Sequence, residues 1–204
     1  MPYQALLSLW ARPRETYRAI IQHRPGNSSV GLYVLAFYLT LAQHLLSSHH
    51  SSLAVTLLVL VAPLVATTLL YLQGWMLRLV CGWFDGQAQA LGIRTALAWG
   101  GVPATLGILL WLLGYLLYGD AMLWEESGQL PKQGGVLVVS LVGLVLTCYS
   151  VITTCQMLAE ANGFSAWRAL ASVLLTLMLA TMLALAVAIP LILLVLGPDI
   201  LALQ

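Results

Sequence analysis

From Pro25 to Leu77 no Asp, Glu, Lys or Arg interrupts the chain, and only the polar stretch LLSSHHSSL at 45–53 divides the run. A helix crossing a bilayer needs about 20 mostly apolar residues, so this run predicts two spans, near 30–47 and 53–77. Further charge-free runs cover 95–119, 133–159 and 169–198, and each is long enough for one more, near 95–118, 136–159 and 169–196. The pattern therefore predicts an all-α integral membrane protein, a five-transmembrane-helix bundle over 30–198. Residues 1–29 form a separate segment ahead of it.

That leading segment has a different period. In LWARPRETYRAIIQHRP, 9–25, Pro13 can occupy a first helical turn, where its missing N–H costs nothing. Pro13, Tyr17, Ile20 and Ile21 then share one helical face, while Arg14, Glu15, Arg18 and Gln22 fall elsewhere. This predicts a short N-terminal amphipathic interfacial helix, with arginines toward anionic headgroups and the apolar face in the acyl boundary. Such a helix serves as an anchor or as a partner-docking element, and Trp10, Arg12, Pro13, Arg14, Tyr17, Arg18 and Arg24 are its candidate contact residues. The arginines follow the first apolar residues instead of preceding them, the reverse of a signal peptide.

Within the spans, small residues recur at helical spacing. Gly100, Gly107 and Gly114 step by seven in the third span, with Ala104 between the first two. Ser140, Gly143, Thr147, Ser150 and Thr154 mark the fourth, and Ser172, Thr176, Ala180, Ala184 and Ala188 the fifth. Ridges of small side chains let helix backbones approach closely in lipid, so these three helices are expected to form the tight centre of the bundle. A polar conduit lined by the same residues is the other reading. Pro63, Pro103 and Pro190 lie inside spans and are expected to bend them.

Composition strengthens the lipid assignment. The 204 residues are 61% hydrophobic and 7% charged, with a mean hydropathy of +0.94, where soluble domains carry roughly 25% charged residues. A core of this size still needs a polar surface in water, so the surrounding solvent is hydrocarbon. The net charge of +1 gives no basic face for nucleic acid. Cys81, Cys148 and Cys155 make no disulfide framework and read as small buried residues. The arginines also orient the chain. With the N-terminus in the cytoplasm, that side receives Arg12, Arg14, Arg18, Arg24, Arg78, Arg94 and Arg168, and the other side only Lys132, as the positive-inside rule requires. The expected placement is a cell inner membrane, with a cytoplasmic N-terminus and a periplasmic C-terminus.

Chemistry is sparse. Ionisable groups at a helix centre cost roughly 2.5–3.5 kcal/mol each on insertion scales, and an enzyme or proton-coupled carrier has to keep some. The deepest candidates are His44 and Glu160, both read as boundary residues. The cluster His44, His49 and His50 has no cysteine or carboxylate beside it and an irregular spacing. No nucleophile elbow, zinc helix or phosphate loop occurs. FDGQAQALGIR, 84–94, opens like the CDP-alcohol phosphotransferases, but their Ala-Arg pair and later aspartates are absent. No catalytic residue, metal or cofactor is assigned. A lipid-metabolising enzyme would need Asp85, Glu160 and Arg168 to converge. A wet cavity lined by Gln43, His44, Gln73 and Gln156 would favour a transporter.

Three segments together resemble the Ypt-interacting protein (Yip) family. They are LWARPRETYRAI at 9–20, FDGQAQALGIRTALAWGGVPATLG at 84–107 and QMLAEANGFSAWRALASVLL at 156–175. The first is similar to the family's basic opening, the second to its cytoplasmic loop with a proline just inside the third span, and the third to its turn between spans four and five. The resemblance implies five spans, a cytoplasmic N-terminus and a non-enzymatic role in membrane organisation or traffic, of the bacterial type. A small transporter or channel component, perhaps dimeric, is the alternative. The expected partners are a bilayer with anionic headgroups, and other membrane proteins or a second copy of the chain.

Overall fold

The computed structural model describes residues 8–23, 26–46, 52–123 and 134–201. Every regular element among them is helical: α1 (Pro13–Gln22), α2 (Gly26–Leu46), α3 (Ser52–Gly82), α4 (Ala90–Gly100), α5 (Val102–Tyr118), a 3-10 segment (Gly119–Leu123), α6 (Gly134–Asn162) and α7 (Ala166–Leu201). Five stretches are long and apolar enough to cross a bilayer: Ser28–Leu46, Val55–Gly82, Ala90–Tyr118, Gly134–Asn162 and Ala166–Pro190. The third comprises α4 and α5 together.

The helices overrun the charges that bound their apolar runs. α3 continues through Arg78 to Gly82, and α4 begins at Ala90, which puts Arg94 inside a span. Arginine is a good helix former, and its aliphatic stem lets the charged end reach a polar partner. A charge therefore marks the edge of the hydrocarbon better than the end of the helix.

The third span is the central one. Of its apolar stretch 39% is buried inside the protein, against 6% to 17% for the other four. The core gathers at one end of the bundle, where Leu9, Tyr17 and Ile20 from the N-terminal segment meet Ile93, Trp99, Met157 and Leu158. Down the third and fourth spans the glycines mark the contact: a Cβ on Gly107 would come 3.4 Å from the Gly143 carbonyl oxygen and 3.6 Å from the Gly143 Cα. Farther along, a Cβ on Gly114 would stand 3.1 Å from Met122 Cε and 3.1 Å from Val139 Cγ1.

The fifth span packs differently from the expectation. α7 lies on α3 and α6 through its first turns, where Ala169 and Ser172 are fully buried. Ala180 is half-buried, Ala184 is exposed, and every residue from 181 to 190 is exposed. Ala184, expected to pack, thus faces outward from the described helices. A row of small side chains permits close approach, but no described helix stands opposite it. Cys81 and Cys155 are buried as expected, whereas Cys148 faces outward.

Of the three in-span prolines, only Pro103 coincides with a break between helices. It is fully buried in the first turn of α5, two residues after the Gly100–Gly101 pair. The Gly100 carbonyl accepts hydrogen bonds from the hydroxyls of Ser150 at 2.9 Å and Thr153 at 2.8 Å, so α6 caps the interrupted ladder. Pro63 and Pro190 lie inside continuous helices. Pro63 lacks the N–H that would serve the Val59 carbonyl four residues back. The Tyr38 hydroxyl of α2 donates to that carbonyl instead, at 3.1 Å.

Candidate functional site

The N-terminal helix forms as its pattern predicts, but its apolar face meets protein. Arg12 adopts a non-helical φ of −143°, which separates the turn at 8–11 from α1, and Pro13 opens the new helix. The Thr16 hydroxyl donates to Ser8 Oγ at 2.8 Å and to the Arg12 carbonyl at 3.0 Å, tying the two pieces together. Pro13, Thr16, Tyr17 and Ile20 are buried, and α1 packs on α6 and α4. The face expected in the acyl boundary therefore lies on the bundle's own core. Arg12, Arg14, Glu15, Arg18 and Gln22 stay exposed.

Three contacts fasten the segment. Trp10 stacks on Tyr149 of α6, with centroids 5.3 Å apart and planes 7° from parallel, and the Tyr149 hydroxyl donates to the Trp10 carbonyl at 2.6 Å. Tyr17 reaches α4 at Gly92, where a Cβ would stand 2.6 Å from the phenol oxygen. Arg18 Nε donates to Glu160 Oε1 at 2.6 Å, and the hydrogen bond and charge of Glu160 raise the Arg18 pKa. Arg12 pairs locally with Glu15 at 3.3 Å.

The last turn of α6 is a junction. Glu160 takes α1, and two residues on, the Asn162 Oδ1 accepts the Ala88 N–H at 3.2 Å while its Nδ2 donates to the Leu158 carbonyl at 2.9 Å. This pins the loop between α3 and α4, which turns on Asp85 with a φ of +62°. Sequence spacing could not show these partners, because Arg18 and Glu160 lie 142 positions apart. The one available signal was a carboxylate left near a span end, Glu160, opposite a surplus of arginines.

Glu160 thus pairs with Arg18, and Asp85 is exposed in its loop. Among the described residues no three His, Cys, Asp or Glu side chains stand close enough to hold a metal. Arg24, His49, His50 and Lys132 lie outside the described residues. Gln73 accepts a hydrogen bond from the Tyr33 hydroxyl at 2.8 Å, a link between the first and second spans.

Tyr17 makes the docking sensitive to alkali. Burial, with the Glu160 charge second, pushes its phenol up to about 12, whereas a released phenol titrates near 10. The docked state is fully favoured below pH 10 and loses that advantage as pH rises through 12, up to about 3 kcal/mol. Subtilisin cleavage within α1 is expected to climb more steeply over this range in the wild type than in Tyr17→Phe. Equal slopes would show that the phenol does not govern release.

A model of the Yip1 domain matches residues 7–195. No curated protein matches the chain, and no solved structure does. The matched stretch takes in the docked N-terminal segment as well as all five apolar spans, and by this match the chain belongs to the Yip1 domain family of multi-pass membrane proteins.

Proposed function

We propose that this chain is a non-enzymatic scaffold or accessory factor of a bacterial inner membrane, working through the outer face of its docked N-terminal helix. The observation that carries the reading is the two-sided build of α1. Its apolar side is fixed on α4 and α6, and its outer side presents Arg12 and Arg14 beside Trp10, which stays 40% exposed. A helix held rigidly from below offers its cations without the ordering cost of a free segment. Its partners on this reading are anionic headgroups together with another membrane protein or a second copy of the chain. The excess of arginines at that end supports a cytoplasmic N-terminus and a periplasmic C-terminus on this reading.

The test is crosslinking and pull-down from native membranes, comparing wild type with Arg12→Ala/Arg14→Ala. This pair leaves the Arg18–Glu160 contact intact. Loss of captured partners supports the scaffold; an unchanged set reduces α1 to an anchor and overturns it.

One observation favours the transporter reading. The third span is interrupted at Gly100–Pro103, and beside the interruption the buried Trp99 Nε1 has no hydrogen-bond partner among the described residues; broken helices of this kind build binding sites in carriers. Solute movement in liposomes that Trp99→Phe abolished would carry that reading over the scaffold.

A further inference from the structure

Arg94 has a different setting from the other basic residues. Arg12, Arg14, Arg18, Arg78 and Arg168 are exposed, and Arg94 alone among the described basic residues is half-buried. Its guanidinium carbon lies over the ring of Tyr71, 3.9 Å from the centroid. Its stem crosses α3 at Gly74, where a Cβ would come 2.7 Å from Arg94 Cγ. Glycine at 74 leaves the groove in which that stem lies.

Both residues lie toward the arginine-bearing ends of their spans: Arg94 is four residues past Ala90, about 6 Å along the helix axis. Tyr71 lies eleven residues before the end of α3 at Gly82, about 16 Å along the helix axis. A half-buried cation at the rim of an apolar span needs an anion or a dense set of acceptors. The two described ion pairs are Arg12–Glu15 and Arg18–Glu160, and among the described residues no carboxylate lies within ion-pair distance of Arg94. A cation–π contact compensates the charge only in part and satisfies none of the five guanidinium N–H donors. The charge thus remains only partly compensated by the described protein, and the hydroxyl at the rim of the Tyr71 ring adds a donor beside it.

We propose that Arg94 and Tyr71, with Gly74 as the groove between them, bind a phosphate-bearing anion. The guanidinium fork matches the oxygens of a phosphate in a bidentate way. Two sources share this chemistry: the headgroup of a phospholipid entering between the second and third spans, and free phosphate. The site is independent of α1 and of any partner held there.

The test uses the purified full-length protein in detergent and native mass spectrometry with phosphatidylglycerol, with diacylglycerol of the same chains, and with inorganic phosphate as competitor. Wild type and Arg78→Gln are expected to bind phosphatidylglycerol alike. Arg94→Gln is expected to bind it about tenfold more weakly or worse, and diacylglycerol is expected to bind equally poorly to all three. Equal phosphatidylglycerol affinity in wild type and Arg94→Gln overturns the proposal, as does diacylglycerol binding as tightly as phosphatidylglycerol. Displacement by inorganic phosphate at comparable concentration keeps the site and assigns it to the free anion; resistance to displacement assigns it to lipid. Should Arg94→Gln fail to fold, Tyr71→Leu decides: weakened binding supports the site, and wild-type binding overturns it.

Discussion

Gly100→Ala is expected to lower the thermal midpoint of the detergent-solubilised protein by on the order of 10 °C. A methyl group there would stand 2.6 Å from the Cα of Thr154 and 2.9 Å from its Cβ, with Thr154 Oγ1 nearer still. Backbone cannot swing aside as the tip of a long side chain can, so α4 and α6 have to part. Parting them also stretches the bonds from Ser150 and Thr153 to the Gly100 carbonyl, the capping that closes the break in the third span. Overpacking a well-filled contact costs about 1–3 kcal/mol, each kcal/mol being worth about 2–4 °C in a chain of this size. Gly143→Ala is the matched control. Its Cβ would meet only the Gly107 carbonyl, at 4.0 Å, so a shift within about 2 °C is expected. If the two variants melted together, close approach at Gly100 would not be what holds the third and fourth spans.

Glu160→Arg is expected to release α1 and speed tryptic cleavage at Arg14 and Arg18 by about tenfold or more. Glu160 is the more buried member of its pair, with 18% of its side chain exposed against 65% for Arg18. An exposed ion pair is worth little, but setting a second cation against Arg18 turns attraction into repulsion at a half-buried position. Tyr17, Ile20 and the Trp10–Tyr149 stack remain to oppose release, which limits the effect on the rest of the bundle. The double variant Arg18→Glu/Glu160→Arg re-creates the pair with its signs exchanged and is expected to restore slow cleavage. Slow cleavage in Glu160→Arg alone would mean that apolar burial by itself holds the helix.

The spans and the amphipathic segment were legible in the sequence because each rests on a periodic or compositional signal. The apolar runs gave five crossings, and Pro13, Tyr17 and Ile20 gave the buried face of α1. What covers that face was not legible. Leu, Ile and Tyr are equally at ease against lipid and against another helix, so the pattern could not separate acyl chains from Ile93 and Leu158. The same ambiguity holds for Ala184, whose small side chain is suited to a close neighbour but meets none among the described helices. Pair contacts across the bundle, Arg18 with Glu160 and Trp10 with Tyr149, leave no local trace at all. Arg94 reads from the sequence as one more orienting charge; only the tertiary fold lays it over Tyr71.

The bond from Tyr38 to the carbonyl that Pro63 leaves open bears on how the chain enters a bilayer. A bare peptide oxygen in hydrocarbon costs several kcal/mol, and α3 carries one wherever α2 is missing. The second crossing is therefore at ease only once the first has arrived beside it, and the two are bound to settle as a hairpin.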